Sequence, residues 1–425
     1  MSLFLNPERR RWFIIAIIFL VIVFNYLDRQ ILSILKPLLK KEFDLGDDGY
    51  ALIVNIFTIS YALMYPVSGW LVDRIGARKM MFIGVITWSL ASIGGGIART
   101  FAQFGFFRSL LGLAEPTSFP AQVKVITIWF SGKLRATANS LCVAGSSIGA
   151  IIAPPFIAWL ALSLNWRAAF IIPGLIGLFL ALIWWLIYRD PPQKIAQEAT
   201  SLTDSPTTEA FTWGQLWSRR SLWGILLIRF ISDPVWYFCL FWLPGFLQEE
   251  SGLTLAQLGM IGWIPFLIAN IGGIGSSAWS DLMVRHGSKP LRARKIMLTF
   301  VAFFAPLVLL PHQWGIVITL IKFSVIAAVA LSWLFTLSVV IAETFPVKNV
   351  ASVLGICGGV GAVGAVLFNY LIGHFMGSIG PEWIFIVMSV IHPLVTILLW
   401  TMVRPEIPSK NKSYSKLQSE SLNTN

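Results

Sequence analysis

Long apolar runs separated by short polar breaks cover this chain from end to end. They fall at about 12–35, 49–71, 80–98, 102–124, 137–162 and 168–189. After one polar stretch they resume at about 221–248, 255–279, 292–311, 314–341, 350–375 and 382–403. A membrane-crossing helix needs roughly 20 predominantly apolar residues. The pattern therefore predicts an all-α membrane protein with twelve transmembrane helices. Residues 1–11 form a short basic arm, 12–189 a first six-helix bundle and 221–403 a second. Between them, 190–220 is rich in Pro, Thr, Ser, Gln and charge, and reads as a flexible cytoplasmic linker. Residues 404–425 form a polar cytoplasmic tail.

Composition agrees. Of 425 residues, 56% are hydrophobic and only 12% charged, where a soluble domain carries about 25% charged residues. Mean hydropathy is +0.75. The first apolar run is too long for a cleavable signal, lacks a small-residue cleavage site and carries Asp28-Arg29, so it is expected to remain as a crossing. The net charge of +12 invites a nucleic-acid reading, which its distribution excludes. With loops assigned alternately to two sides, roughly 22 of the 32 Lys and Arg fall on one side and about 5 on the other. That bias places both termini in the cytoplasm, and a bacterial inner membrane is the expected location. The three cysteines, Cys142, Cys239 and Cys357, all lie in apolar runs and imply no disulfide framework. His286, His312, His374 and His392 show no metal-ligand spacing, and no metal or cofactor is expected.

Charges inside the apolar runs change the picture. Asp28 and Arg29 sit deep in the first segment, and Arg108 and Glu115 lie in the fourth. A charge at a bilayer centre is costly and is tolerated where it faces a wet cavity, a partner or a solute. Arg108 and Glu115 are seven residues apart and share one helix face. Lys322 lies about 12 Å inside segment 10, at a height similar to that of Arg108 in its own helix.

The two halves also echo each other. Gly69-Trp70-Leu71-Val72-Asp73-Arg74-Ile75-Gly76-Ala77-Arg78-Lys79 joins segments 2 and 3. The equivalent place in the second half reads Ser280-Asp281-Leu282-Met283-Val284-Arg285-His286-Gly287, followed by Arg292-Ala293-Arg294-Lys295. The first of these loops resembles the signature of the major facilitator superfamily. Asn25-Tyr26-Leu27-Asp28-Arg29, the run from Arg108 through Glu115 to Pro120, and Arg229 to Pro244 resemble the anion:cation symporter family, with the last similar to its hexuronate-transporter branch. The chain departs from that branch at Tyr65, Val143-Ala144-Gly145 and Leu331 to Thr336, which leaves the exact solute open.

The resemblance implies the major facilitator fold, two pseudo-symmetric six-helix bundles, and a proton-coupled symporter for a small organic anion. Sugar acids, meaning hexuronates or related aldonates and aldarates, lead; phthalate-like acids follow. Asp28 and Glu115 are the expected proton carriers, since a carboxyl group in a low-dielectric chamber can hold a proton near neutral pH. Arg29 and Arg108 are the expected anion ligands, because guanidinium stays charged and grips carboxylates bidentately. Tyr26, Tyr61, Trp236 and Tyr237 could bond hydroxyls or stack on a ring, although aromatic residues in membrane helices more often only pack. Lys322 either completes a clamp on the solute or snorkels to the interface. Arg229 and Asp233, at i and i+4, can pair with each other. Asp73, Arg74, Arg78, Lys79 and Asp281 read as gate latches. The proton is the coupling ion, the lipid bilayer the surroundings, and a monomer the expected state. An anion exchanger is the rival within transport. A membrane sensor or intramembrane enzyme is the rival outside it, and no Ser/His or metal constellation supports the enzyme.

Overall fold

A computed structural model describes residues 7–130, 132–191, 211–311 and 314–405. Most of the expected linker, the start of the basic arm, most of the tail and His312 lie outside the described residues. Among the described residues the chain is helical, with no strand.

The first half runs α1 (Pro7–Ile34), α2 (Lys36–Glu42), α3 (Asp47–Ile75), α4 (Ala77–Ile97), α5 (Phe101–Ala114), α6 (Ser118–Trp129), α7 (Gly132–Ser163) and α8 (Ala168–Ile187). After the short α9 (Trp213–Trp217) come α10 (Arg220–Phe241), α11 (Leu243–Glu249), α12 (Leu255–Ile261), α13 (Ile264–Arg285), α14 (Pro290–Ala302), α15 (Ile316–Thr344), α16 (Val347–Ile379) and α17 (Glu382–Met402). Element ends follow local chemistry. Gly76 takes φ 95 between α3 and α4, a backbone that glycine adopts without penalty. Thr254 and Gln257 form a reciprocal capping box at the start of α12.

Among the described residues ten spans are long and apolar enough to cross a membrane, Leu255–Arg285 (α12 with α13) counting as one. The remaining two of the twelve predicted crossings are broken. In the fourth, a 3-10 turn at Glu115–Thr117 separates α5 from α6. Pro116 has no N–H to continue the helical ladder there. In the ninth, α14 stops at Ala302 and a 3-10 turn follows at Ala305–Leu309. The crossings thus alternate between the face that carries the chain's start, here the terminal face, and the opposite far face.

Small residues set the helix spacing. A Cβ at Gly149 on α7 would run into the Val23 carbonyl of α1, and one at Gly364 on α16 into the Phe230 carbonyl of α10. Gly355 and Gly359, also on α16, have open space around them and permit no such approach.

Contacts joining the two halves lie between the far face and the middle. Ser33 donates to the Leu240 carbonyl at 2.8 Å, Gln248 to the Ile34 carbonyl at 2.8 Å and Asn55 to the Val366 carbonyl at 3.1 Å. The Tyr50 hydroxyl donates to the Phe241 carbonyl. Deepest are a Ser147–Asn270 side-chain hydrogen bond and the Tyr65 ring over Gly358. Among the described contacts, these bonds across the seam gather toward the far side.

Candidate functional site: a buried charge cluster between the bundles

The break in the fourth crossing puts Glu115 at the end of a helix rather than inside a regular one. Its side chain is fully buried, and Oε2 accepts from Arg29 Nε at 2.6 Å. Arg29 Nη2 has no hydrogen-bond partner, and neither has Glu115 Oε1. One donor of the guanidinium, Nε, is therefore held by Glu115 while Nη2 stays free.

Aromatic rings surround this cation. The Arg29 guanidinium carbon lies 4.6 Å from the Tyr61 ring centroid, 4.9 Å from Tyr26 and 5.9 Å from Phe57. Arg108 stands 4.9 Å from the same Phe57 ring, so Phe57 lies between two guanidinium groups. Each such contact contributes roughly 0.5–2 kcal/mol and steadies the cation without neutralising it. Tyr65 packs on Tyr61 at 5.6 Å, and Tyr237 on Phe241 at 6.0 Å. Tyr61, Tyr65 and Tyr237 are all electrostatic neighbours of Arg29. Four of the chain's eight tyrosines thus collect around one arginine, which offers a solute both ring faces and hydroxyls.

Arg108 is only 3% exposed, yet its Nε and Nη2 have no hydrogen-bond partner. Asn25, one turn from Arg29 on α1, is buried with both side-chain polar atoms unpartnered. An orphaned buried polar atom costs about 1–3 kcal/mol, and more when charged. Such a concentration of orphans in a folded core marks a place built for water or ligand. Asp28 faces the other way. Its Oδ1 lies 3.2 Å from Ser92 Oγ, and that hydroxyl is also 3.0 Å from the Phe170 carbonyl. Asp28, Arg108 and Glu115 are electrostatic neighbours, but Asp28 makes no ion pair among the described contacts.

The remaining expected site residues scatter. Trp236 packs edge-on against Phe266 on α13. Lys322 is 1% exposed with its ammonium 4.0 Å from the Phe385 ring centroid on α17 and 5.1 Å from Phe323. Its charge therefore points at the last helix rather than at the Arg29 group. Arg229 and Asp233 pair at 3.4 Å, and Arg229 also donates to Ser338 at 3.0 Å.

At the terminal face, Asp73 meets Lys124 at 3.0 Å. In the second half, Arg294 binds Asp281 at 2.5 Å and Glu343 at 3.1 Å. Arg78 donates to the Trp185 carbonyl at 2.8 Å and lies over that ring, while Arg74 lies over Trp70. Lys79 is exposed at the start of α4. Each of these ion pairs stays within one half.

The far face holds a cluster that sequence reasoning missed. Lys36 is fully buried, with Nζ 2.9 Å from Asp47 Oδ1 and 2.5 Å from Glu249 Oε2. Lys40 meets the same two carboxylates at 3.1 and 3.2 Å. Lys36 also sits 4.8 Å from the Trp242 ring and 5.2 Å from Tyr50. A lysine directly followed by proline at the end of an apolar run was the available signal. Its partner in the other half, Glu249, is far away in sequence.

This architecture, two helical bundles with charge buried at their seam, is that of a membrane transporter. The family profile described as Major Facilitator Superfamily matches residues 18–292 and 282–423, and the chain belongs to that superfamily. It is 28% identical to the hexuronate transporter of Escherichia coli (strain K12), over 93% of this chain and 94% of that one. It is 30% identical to the galacturonate transporter of Dickeya chrysanthemi, over 62% of this chain and 79% of that one. Among solved structures it is similar to a bacterial homologue of the human lysosomal transporter Spinster, in an inward-facing and occupied conformation. That match has a TM-score of 0.75 at 18% identity, covers 94% and 98% of the two chains, and speaks to the fold.

Proposed function

We propose that this chain is a proton-coupled symporter that imports a small sugar acid by alternating access. The observation that carries the reading is the half-used guanidinium of Arg29, tied to Glu115 through Nε and free at Nη2 among tyrosines. An arriving carboxylate takes the free Nη2 donor of Arg29 and competes with Glu115 for its charge. Glu115, so released, accepts a proton, and Asp28 serves as the second carrier beside it. Filling both demands neutralises the buried charge and lets the bundles rock about the site. One proton carried with one monovalent anion moves no net charge. The relatives' names supply the solute class, hexuronate and galacturonate. The bias of Lys and Arg toward one set of loops supports cytoplasmic termini.

The test is uptake of radiolabelled D-galacturonate and D-glucuronate into proteoliposomes under an inwardly directed proton gradient. The unaltered protein accumulates at least one of them. Asp28→Asn and Glu115→Gln lose gradient-driven accumulation, and Asp28→Asn keeps counterflow. Uptake by the unaltered protein that ignores the gradient marks an exchanger and overturns the coupling.

A further inference from the structure

We infer that the charge cluster sealing the far face is also an outer docking site for the solute's carboxylate, with Glu249 standing in for that carboxylate while the seam is closed. The inference rests on the transport reading above.

Membership of the cluster is unequal. Lys36, Lys40 and Asp47 belong to the first half; Glu249 is the one member from the second. Together the four sum to zero charge. Opening the far face withdraws Glu249 and leaves two ammonium groups against one carboxylate, a net +1 at the mouth of the first bundle. The groups left behind have what Glu249 had used: Lys36 Nζ and Lys40 Nζ, each already within 3.2 Å of a Glu249 oxygen, with the flank of Tyr50 beside Lys36. A free carboxylate fits the same donors in the same way. Trp242 leaves with Glu249, which takes one ring face from Lys36 and bares the ammonium further.

The site leads inward. Two main-chain bonds bridge the turn at Leu35 between α1 and α2, from Leu35 N to the Ile31 carbonyl and from Leu39 N to the Leu35 carbonyl. Lys36 follows Arg29 by seven residues toward the far face, about 10 Å at the helical rise. Tyr50, beside Lys36, is also an electrostatic neighbour of Arg108, whose Nε and Nη2 are buried without partners. Lys40, Lys36, Arg108 and Arg29 thus form a descending series of cations on the first half. An anion handed down it is never far from a counter-charge, which limits the desolvation it meets at each step.

Two substitutions separate docking from simple latching. Glu249→Gln removes the resident carboxylate, and Lys40→Gln removes an ammonium. If the cluster were only a latch, both would loosen it, and both would move the KM for uptake from the far face the same way. Docking predicts opposite signs. In proteoliposomes with D-galacturonate outside, Glu249→Gln lowers that KM about threefold or more. Lys40→Gln raises it about fivefold and flattens its dependence on ionic strength, with kcat changed less than KM in each. Equal-sign shifts, or no shift with Lys40→Gln, overturn the docking site and leave transport intact. Absence of uptake by the unaltered protein for every sugar acid tried overturns the transport reading, and this inference with it.

Discussion

Arg108→Gln distinguishes a functional cation from a structural one. Arg108 is buried, makes no ion pair among the described contacts, and leaves Nε and Nη2 without acceptors. Its ring contact is Phe57 at 4.9 Å, worth about 0.5–2 kcal/mol, and Glu115 and Asp28 attract its charge without touching it. Two orphaned donors at about 1–3 kcal/mol each cost as much or more. Removing the charge relieves those donors but also gives up the attraction of Glu115 and Asp28, so the two effects oppose and the stability of the ligand-free protein is expected to stay within about 1 kcal/mol of its original value. Binding is another matter. A charge-assisted hydrogen bond to a carboxylate is worth about 1.5–3 kcal/mol, which at 1.4 kcal/mol per decade is a loss of roughly 10- to 150-fold in affinity. The assay is thermal unfolding of the purified protein in detergent, with and without saturating D-galacturonate. The expected result is an unchanged midpoint without ligand and a much reduced ligand-induced rise. A midpoint that falls sharply without ligand, with the ligand-induced rise intact, would refute the argument and make Arg108 a packing element.

Arg29 should behave oppositely. Arg29→Gln leaves Glu115 buried without its partner and destabilises by about 3–5 kcal/mol, whereas the Arg29→Gln/Glu115→Gln double variant recovers most of that; a double variant that costs the sum of the singles would show the two side chains to be uncoupled. Gly364→Leu places a side chain against the Phe230 carbonyl, and should cost about 1–3 kcal/mol or more as α10 and α16 are forced apart, read as lower yield of folded protein; Gly359→Leu, with open space around it, should be tolerated. The far-face cluster should also resist alkali. Burial alone pulls the Lys40 ammonium down, but Glu249 and Asp47 outweigh it and hold its pKa above the ordinary value of 10.5. A raised lysine pKa contributes stability that is whole below the ordinary value and is lost only as pH climbs through the raised one. Distances between spin labels at exposed Asp44 and Glu250 should therefore hold steady from pH 7 to about 10, and widening within that range would contradict it.

The crossings were legible because each is a local pattern, an apolar run of sufficient length between polar breaks. Breaks inside the crossings were harder to see. Pro116 directly after Glu115 carries the signal for the split fourth crossing, but hydropathy smooths over it. The charged residues of the central site stood out because charge inside an apolar run is conspicuous. Their environments did not stand out. That Phe57 lies between two arginines, or that Asp28 faces Ser92 while Glu115 takes Arg29, depends on the rotation of helices brought together by glycines on distant segments. Trp236 and Tyr237 show the same limit, since adjacent residues on one helix face different neighbours. Lys36 was hidden for another reason. At the edge of an apolar run it looks like an interfacial residue, and its partner Glu249 is 213 positions away.

Ser33, Tyr50, Asn55 and Gln248 all reach across the seam to main-chain carbonyls. Every residue type presents such an oxygen, so substitutions at Leu240, Phe241, Val366 or Ile34 leave the acceptor in place. Covariation between the two sides should accordingly be faint at these points, however strongly they are joined. What the seam does specify is axial register. Sliding one bundle along the other by a single residue, about 1.5 Å, strands all of these donors at once, so the bundles have reason to part by tilting rather than by shearing.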